Sequence, residues 1–99
     1  PIYSVKVCVK EVRGFCAIGY KPGDYFYIDS FYIRAGQKCK ICLHAFNAML
    51  TLLTPFLKGV SAKKLGIGRD DDVGYVQCPD IGKPYTPRGN VIFELKEKN

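Results

Sequence analysis

Residues 2–10 alternate between two kinds of side chain. Tyr3, Val5, Val7 and Val9 fall on one side, and Ser4, Lys6, Cys8 and Lys10 on the other. A period of two marks a strand with one buried face. It places Cys8 with the lysines, outside the core. Residues 11–24 lose the alternation and gain Gly14, Gly19, Pro22 and Gly23. Lys21-Pro22-Gly23-Asp24 has proline and glycine where a tight turn uses them. Tyr25 to Ile33 is aromatic and β-branched, hence extended. Asp29-Ser30 interrupts it and predicts a bulge or a strand in two parts. Gly36 opens a second loop, which carries Cys39 and Cys42.

The pattern then turns helical. Phe46, Met49, Leu50 and Leu53 follow the i, i+3, i+4, i+7 stripe of a packed face and predict a helix over 43–53. Pro55 either ends it or starts a new turn capped by Thr54. Ser61 caps a short helix through Leu65 that Gly66 closes. Asp70-Asp71-Asp72 marks a turn, and Val73 to Gln77 reads as a strand running into Cys78-Pro79-Asp80. Residues 82–89 form a Pro/Gly loop. Asn90 to Leu95 is a last strand, with Val91, Phe93 and Leu95 on one face. The order strand, strand, helices, strand, strand predicts an α+β domain. Its sheet is small and mostly antiparallel, and the mid-chain helical insertion packs on one face.

Length bounds this picture. Ninety-nine residues make a single domain, 1–99. No apolar run is long enough to span a bilayer, and no signal peptide is visible at Pro1–Lys6, so a cytoplasmic location is expected. Fifteen Lys and Arg against nine Asp and Glu give a net charge of +6. With one histidine, His44, any apparatus needing two is excluded.

Five cysteines change the picture most. Cys39-Lys40-Ile41-Cys42 puts two thiols at the spacing by which a tight turn aims both at one ion, as zinc and iron–sulfur sites require. Cys16 and Cys78 lie in loops that abut extended segments, so the four converge if those loops share one end of the sheet. Cys78-Pro79 fits, because proline after a ligand cysteine recurs in ferredoxin-type runs. Cys16, Cys39, Cys42 and Cys78 are the candidate metal ligands, with His44 in reserve, for an iron–sulfur cluster or Zn. Four thiolates around a doubly positive centre lower the net charge from +6 to +4, and Lys38 and Lys40 flank the negative site. Against this stands the simpler possibility of buried, inert thiols.

Three groups of residues resemble the motifs of a family of small conserved cysteine-containing proteins of uncharacterised activity, frequent in anaerobic bacteria and archaea. The first is Gly14 to Asp24, with Cys16, Gly19 and Pro22-Gly23-Asp24. The second is Cys42 leading into a helix with His44-Ala45. The third is Cys78-Pro79-Asp80, followed by a closing strand with Val91 and Phe93. The resemblance spans nearly the whole chain. It implies that Cys16, Cys42 and Cys78 belong together, while Cys8 and Cys39 are less characteristic. The fourth position then falls to Cys39, His44, a water, a substrate or a partner chain.

These features predict a metal- or iron–sulfur-binding protein acting in electron transfer or as an accessory subunit of an anaerobic enzyme, with a larger partner or a second copy of itself. The alternative is a binding module for single-stranded nucleic acid or protein, built on Tyr20, Tyr25, Phe26, Tyr27, Phe31 and Tyr32 among basic residues. Catalysis by the chain alone is not expected. Cys42 and His44, two apart on a helix, point away from one another. Asp70–Asp72 lack the spacing of a calcium loop.

Overall fold

The structure, a computed structural model, describes residues 4–34 and 40–98. Five strands form one antiparallel sheet: β1 (Ser4–Arg13), β2 (Tyr25–Asp29), β3 (Tyr32–Arg34), β4 (Val73–Gln77) and β5 (Asn90–Lys98). Their order across the sheet is β3-β2-β1-β5-β4. Two helices, α1 (Leu43–Leu57) and α2 (Ala62–Leu65), fall between β3 and β4. Those strands are opposite edges, so the helical segment crosses the sheet from one side to the other. This crossing is why one face is covered and the other is open. The α+β architecture predicted from the element order is the one observed.

The alternation in β1 sets the core. Val5, Val7 and Val9 point under the helix and are 0–3% exposed. Phe26 and Ile28 of β2 join them, as do Val91, Phe93 and Leu95 of β5. From the helices come Ala45, Met49, Leu53, Phe56 and Ala62. Cys8 stands half-buried on the opposite, open face, as its register position predicts. β1 runs past Lys10 to Arg13 by way of a bulge between Val9 and Glu11, which lets the pairing with β5 continue after the alternation is lost.

One element, α1, differs from its predicted form. It does not stop near Leu53 but passes through Pro55 to Leu57. Proline here removes the amide that would reach the Thr51 carbonyl, but Thr51 is exposed, where that loss costs less than in a buried turn. The Pro55 carbonyl then takes the amides of Lys58 and Val60 and finishes the helix. The buried stripe is also rotated: Ala45, Met49, Leu53 and Phe56 are inside, Phe46 is half-buried and Leu50 is 42% exposed. The stretch after Tyr25 takes the two-part form, one of the two predicted for it. It folds back at Ser30-Phe31 into the hairpin of β2 and β3. The short helix behaves as predicted. The Ser61 hydroxyl accepts from the Lys64 amide, and Gly66 closes it in the left-handed conformation.

Candidate functional site

Antiparallel pairing decides which loops meet. The end of β1, the start of β2, the end of β4 and the start of β5 all lie at one end of the sheet. β3 leaves the sheet toward the same end, and α1 begins there. The loops carrying Cys16 and Cys78 therefore converge on the N-terminus of α1, where Cys42 is the capping residue.

Between them lies a cavity of about 320 Å³, mostly apolar, lined by Cys16, Cys42 and Cys78 together with Tyr20, Ala45 and Phe93. His44 is exposed and also lines it. All three thiols are half-buried and free. Cys39, the remaining predicted ligand, lies outside the described residues. Among the described residues, no three side chains of His, Cys, Asp or Glu are grouped to hold a metal ion. The chain brings the predicted thiols to one cavity but leaves them apart around its wall.

Each thiol is held by local structure. Cys16 sits in a tight turn whose carbonyl takes the Gly19 amide at 3.0 Å. The backbone N–H of Cys42 donates to the Tyr20 hydroxyl at 2.8 Å. Tyr20 is itself buried and meets the Phe93 ring edge-on, with centroids 5.6 Å apart. It thus fixes the start of α1 to the core. Cys78 Sγ accepts from the Val91 amide at 3.3 Å and donates to the Asp80 carbonyl at 3.8 Å. The 78–89 loop is organised by the Asp80 carboxylate, whose Oδ1 accepts from the Thr86 hydroxyl and from the Gly82 amide. Those two hydrogen bonds, the hydroxyl first, hold Asp80 below the ordinary carboxylate range, and Arg88 adds to the effect.

No family model matches the sequence, and neither the curated proteins nor the solved structures contain a match to it. The site is therefore read from its own chemistry.

The aromatic residues divide between the two faces. Tyr20 and Phe26 are in the core and offer no surface for stacking, which removes them from the nucleic-acid alternative. Tyr25 and Tyr27 lie half-buried on the open face, ring edge to ring face, with centroids 5.5 Å apart. Lys6 stands over the first at 4.7 Å and Arg34 over the second at 4.2 Å. Phe31, just before the edge strand β3, and Tyr32, its first residue, are exposed. Sequence reasoning missed the part played by Tyr20 at the thiol cavity. Its partner Cys42 is 22 residues away, and no local pattern announces a contact of that kind. It also missed Asn90, whose Nδ2 donates to Gln77 Oε1 and to the carbonyls of Cys78 and Asp80, tying the 78–89 loop to the sheet.

Among the described residues no helix is long and apolar enough to cross a membrane.

Proposed function

We propose that the chain is a small metal- or iron–sulfur-binding protein of the cytoplasm, with Cys16, Cys42 and Cys78 as its thiolate ligands. In this reading it serves electron transfer or acts as an accessory subunit of an anaerobic enzyme complex. The observation that carries the reading is a mostly apolar cavity onto which segments far apart in sequence deliver three thiols. Soft metal centres need thiolates in a dry shell, and this cavity supplies both kinds of component.

Binding requires the thiols to lose their protons and turn inward. The S–H of Cys78 that now points at the Asp80 carbonyl is one such proton. The loops bearing Cys16 and Cys78 then close on the N-terminus of α1. Cys39, His44 or a group from outside completes the set. The accessory-subunit role is supported by Phe31, Tyr32 and Leu50, large apolar side chains exposed around a short edge strand.

Purification without oxygen tests the reading. The expected result is stoichiometric iron with acid-labile sulfide and a brown colour, or one zinc per chain. Serine at Cys16, Cys42 or Cys78 lowers the metal content; serine at Cys8, on the other face of the sheet, leaves it unchanged. Protein that carries no metal, and takes up neither iron and sulfide nor zinc on reconstitution, overturns it.

One observation favours a second reading, binding of single-stranded nucleic acid on the open face. Lys6 and Lys96 are direct cross-strand partners there, with Tyr27 beside Lys6. Like charges placed opposite one another are unfavourable until an anion lies across them. Fluorescence anisotropy with a single-stranded RNA tests it: salt-dependent binding lost in Lys6→Gln supports it, and no binding at low salt ends it.

A further inference from the structure

A second crevice of about 550 Å³ lies beside the thiol cavity, and Phe15, Arg88 and Gly89 line both. Its wall carries Arg13, Lys83 and Arg88. Arg13 is paired with Glu11 at 3.2 Å. Lys83 and Arg88 make no ion pair among the described residues. Asp80 offsets part of the charge of Arg88, but its Oδ1 is already engaged by Thr86 and Gly82. The crevice is thus positively charged and rich in donors.

It is also tightly built. A Cβ at Gly89 would sit 1.9 Å from the Arg13 carbonyl oxygen and 2.7 Å from the Phe15 nitrogen, so only glycine lets the two loops touch there. Asn90, 8% exposed, lines the crevice. Its Nδ2 is fully used. Its Oδ1 is the one buried side-chain polar atom without a hydrogen-bond partner among the described residues. A buried acceptor left without a donor is costly, and such exceptions call for a missing partner.

We infer that this crevice binds the phosphate of a small hydroxyl-bearing phosphate monoester, with the rest of the ligand lying over Phe15 toward the thiol cavity. Guanidinium and ammonium groups match phosphate oxygens in charge and, for arginine, in bidentate geometry. The free Asn90 oxygen accepts from a hydroxyl of the ligand, a contact that a bare anion lacking a proton does not make. Phe15 is 64% exposed where the two cavities meet and offers a ring face to an aromatic or apolar body. The inference does not depend on metal at the thiols.

Titration of the whole chain with AMP, ribose 5-phosphate and sulfate, followed by amide NMR at constant ionic strength, tests it. The expected result is saturable shifts at Gly14, Gly82, Gly89 and the Asn90 side chain with at least one phosphate monoester and not with sulfate. AMP binding more tightly than ribose 5-phosphate identifies a nucleotide, with Phe15 under the base; equal binding identifies a sugar phosphate. Lys83→Gln and Arg88→Gln each weaken binding by about tenfold, the effect of losing one hydrogen bond to a charged group. Lys63→Gln, on α2 and outside the lining of both cavities, leaves it unchanged. Both crevice substitutions are at exposed positions, and their spectra report whether the fold is intact. Equal shifts with sulfate, or no saturation by either ester at about 10 mM, overturn the inference.

Discussion

The two faces of the sheet are written in the same strands and work by different physics. On the covered face, Val5, Val7, Phe93 and Leu95 are at most 1% exposed, and their contribution is burial of apolar surface. On the open face, Lys6, Cys8, Tyr25 and Tyr27 alternate with them and stay half-exposed. Their contribution is cation over ring, ring against ring, and ion pair: Arg34 with Asp29, and Lys10 with Glu94 at 3.6 Å. Contacts of the second kind are individually small and screened by salt. The difference teaches that stability lies on one face, while the other is free to carry recognition.

The largest effect should come from the covered face. Phe93→Ala is expected to cost about 3–5 kcal/mol, because a buried ring leaves a cavity. Tyr27→Ala on the open face should cost only about 1 kcal/mol, the scale of an exposed cation–π contact. Urea denaturation of both variants compares the faces directly, and equal losses would break the contrast.

Gly89→Ala comes next. Its new methyl must push the Arg13 and Phe15 backbones apart, for an expected loss of about 2–3 kcal/mol. Amide exchange should rise first in the 78–89 loop. Tyr20→Phe removes the acceptor of the Cys42 amide and should cost about 1–3 kcal/mol. Modification of Cys42 by a thiol reagent should quicken in that variant while that of Cys8 stays the same.

Smaller still is Lys96→Glu, which replaces a like-charge cross-strand pair with Lys6 by an attractive one. A gain of about 0.2–1 kcal/mol is expected at low salt, shrinking in about 1 M salt. Thermal melts at the two salt concentrations measure it.

The dependence on pH is the smallest effect. Asp29 is lowered by Arg34 and Ser4, and Asp80 by Thr86 and Gly82. Their folded forms hold protons less tightly than the unfolded chain. The stability they confer is complete above the ordinary carboxylate range and is lost as the pH falls through their depressed values. Glu97 has the opposite sign, raised by burial and by Asp72. It disfavours the fold once ionised, so Glu97→Gln should stabilise at neutral pH and lose that advantage in acid. Melting points across the acid range separate the two.

Much of this fold is legible along the chain, for local reasons. The β1 alternation, the Ser61 and Gly66 caps and the Lys21–Asp24 turn each depend on residues within one or two turns of one another. The turn is closed by the Asp24 amide on the Lys21 carbonyl at 3.0 Å. The angle of the α1 stripe was not legible. Leu50 fits the apolar pattern as well as Ala45 does, but packing against the sheet selects Ala45. The pattern does not decide whether Pro55 ends the helix or starts a new turn, because the cost of a lost amide depends on whether water reaches its partner carbonyl. The three thiols could be grouped from their loops, but only the strand order shows that those loops share one end of the sheet. The crevice around Asn90 had no sequence signal, since its walls come from β1, β4 and the 78–89 loop together.

The pairing of β1 with β5 has a kinetic consequence. Ser4 faces Lys98 and Arg13 faces Asn90, so the central ladder of the sheet joins the most distant parts of this sequence. Contacts of such separation pay their loop-closure entropy before they return any energy, and they slow folding. During synthesis β1 has only β2 beside it until residues 90–98 leave the ribosome. Over that interval its far edge is an unpaired, valine-rich strand, and a chaperone or a neighbouring chain can reach it.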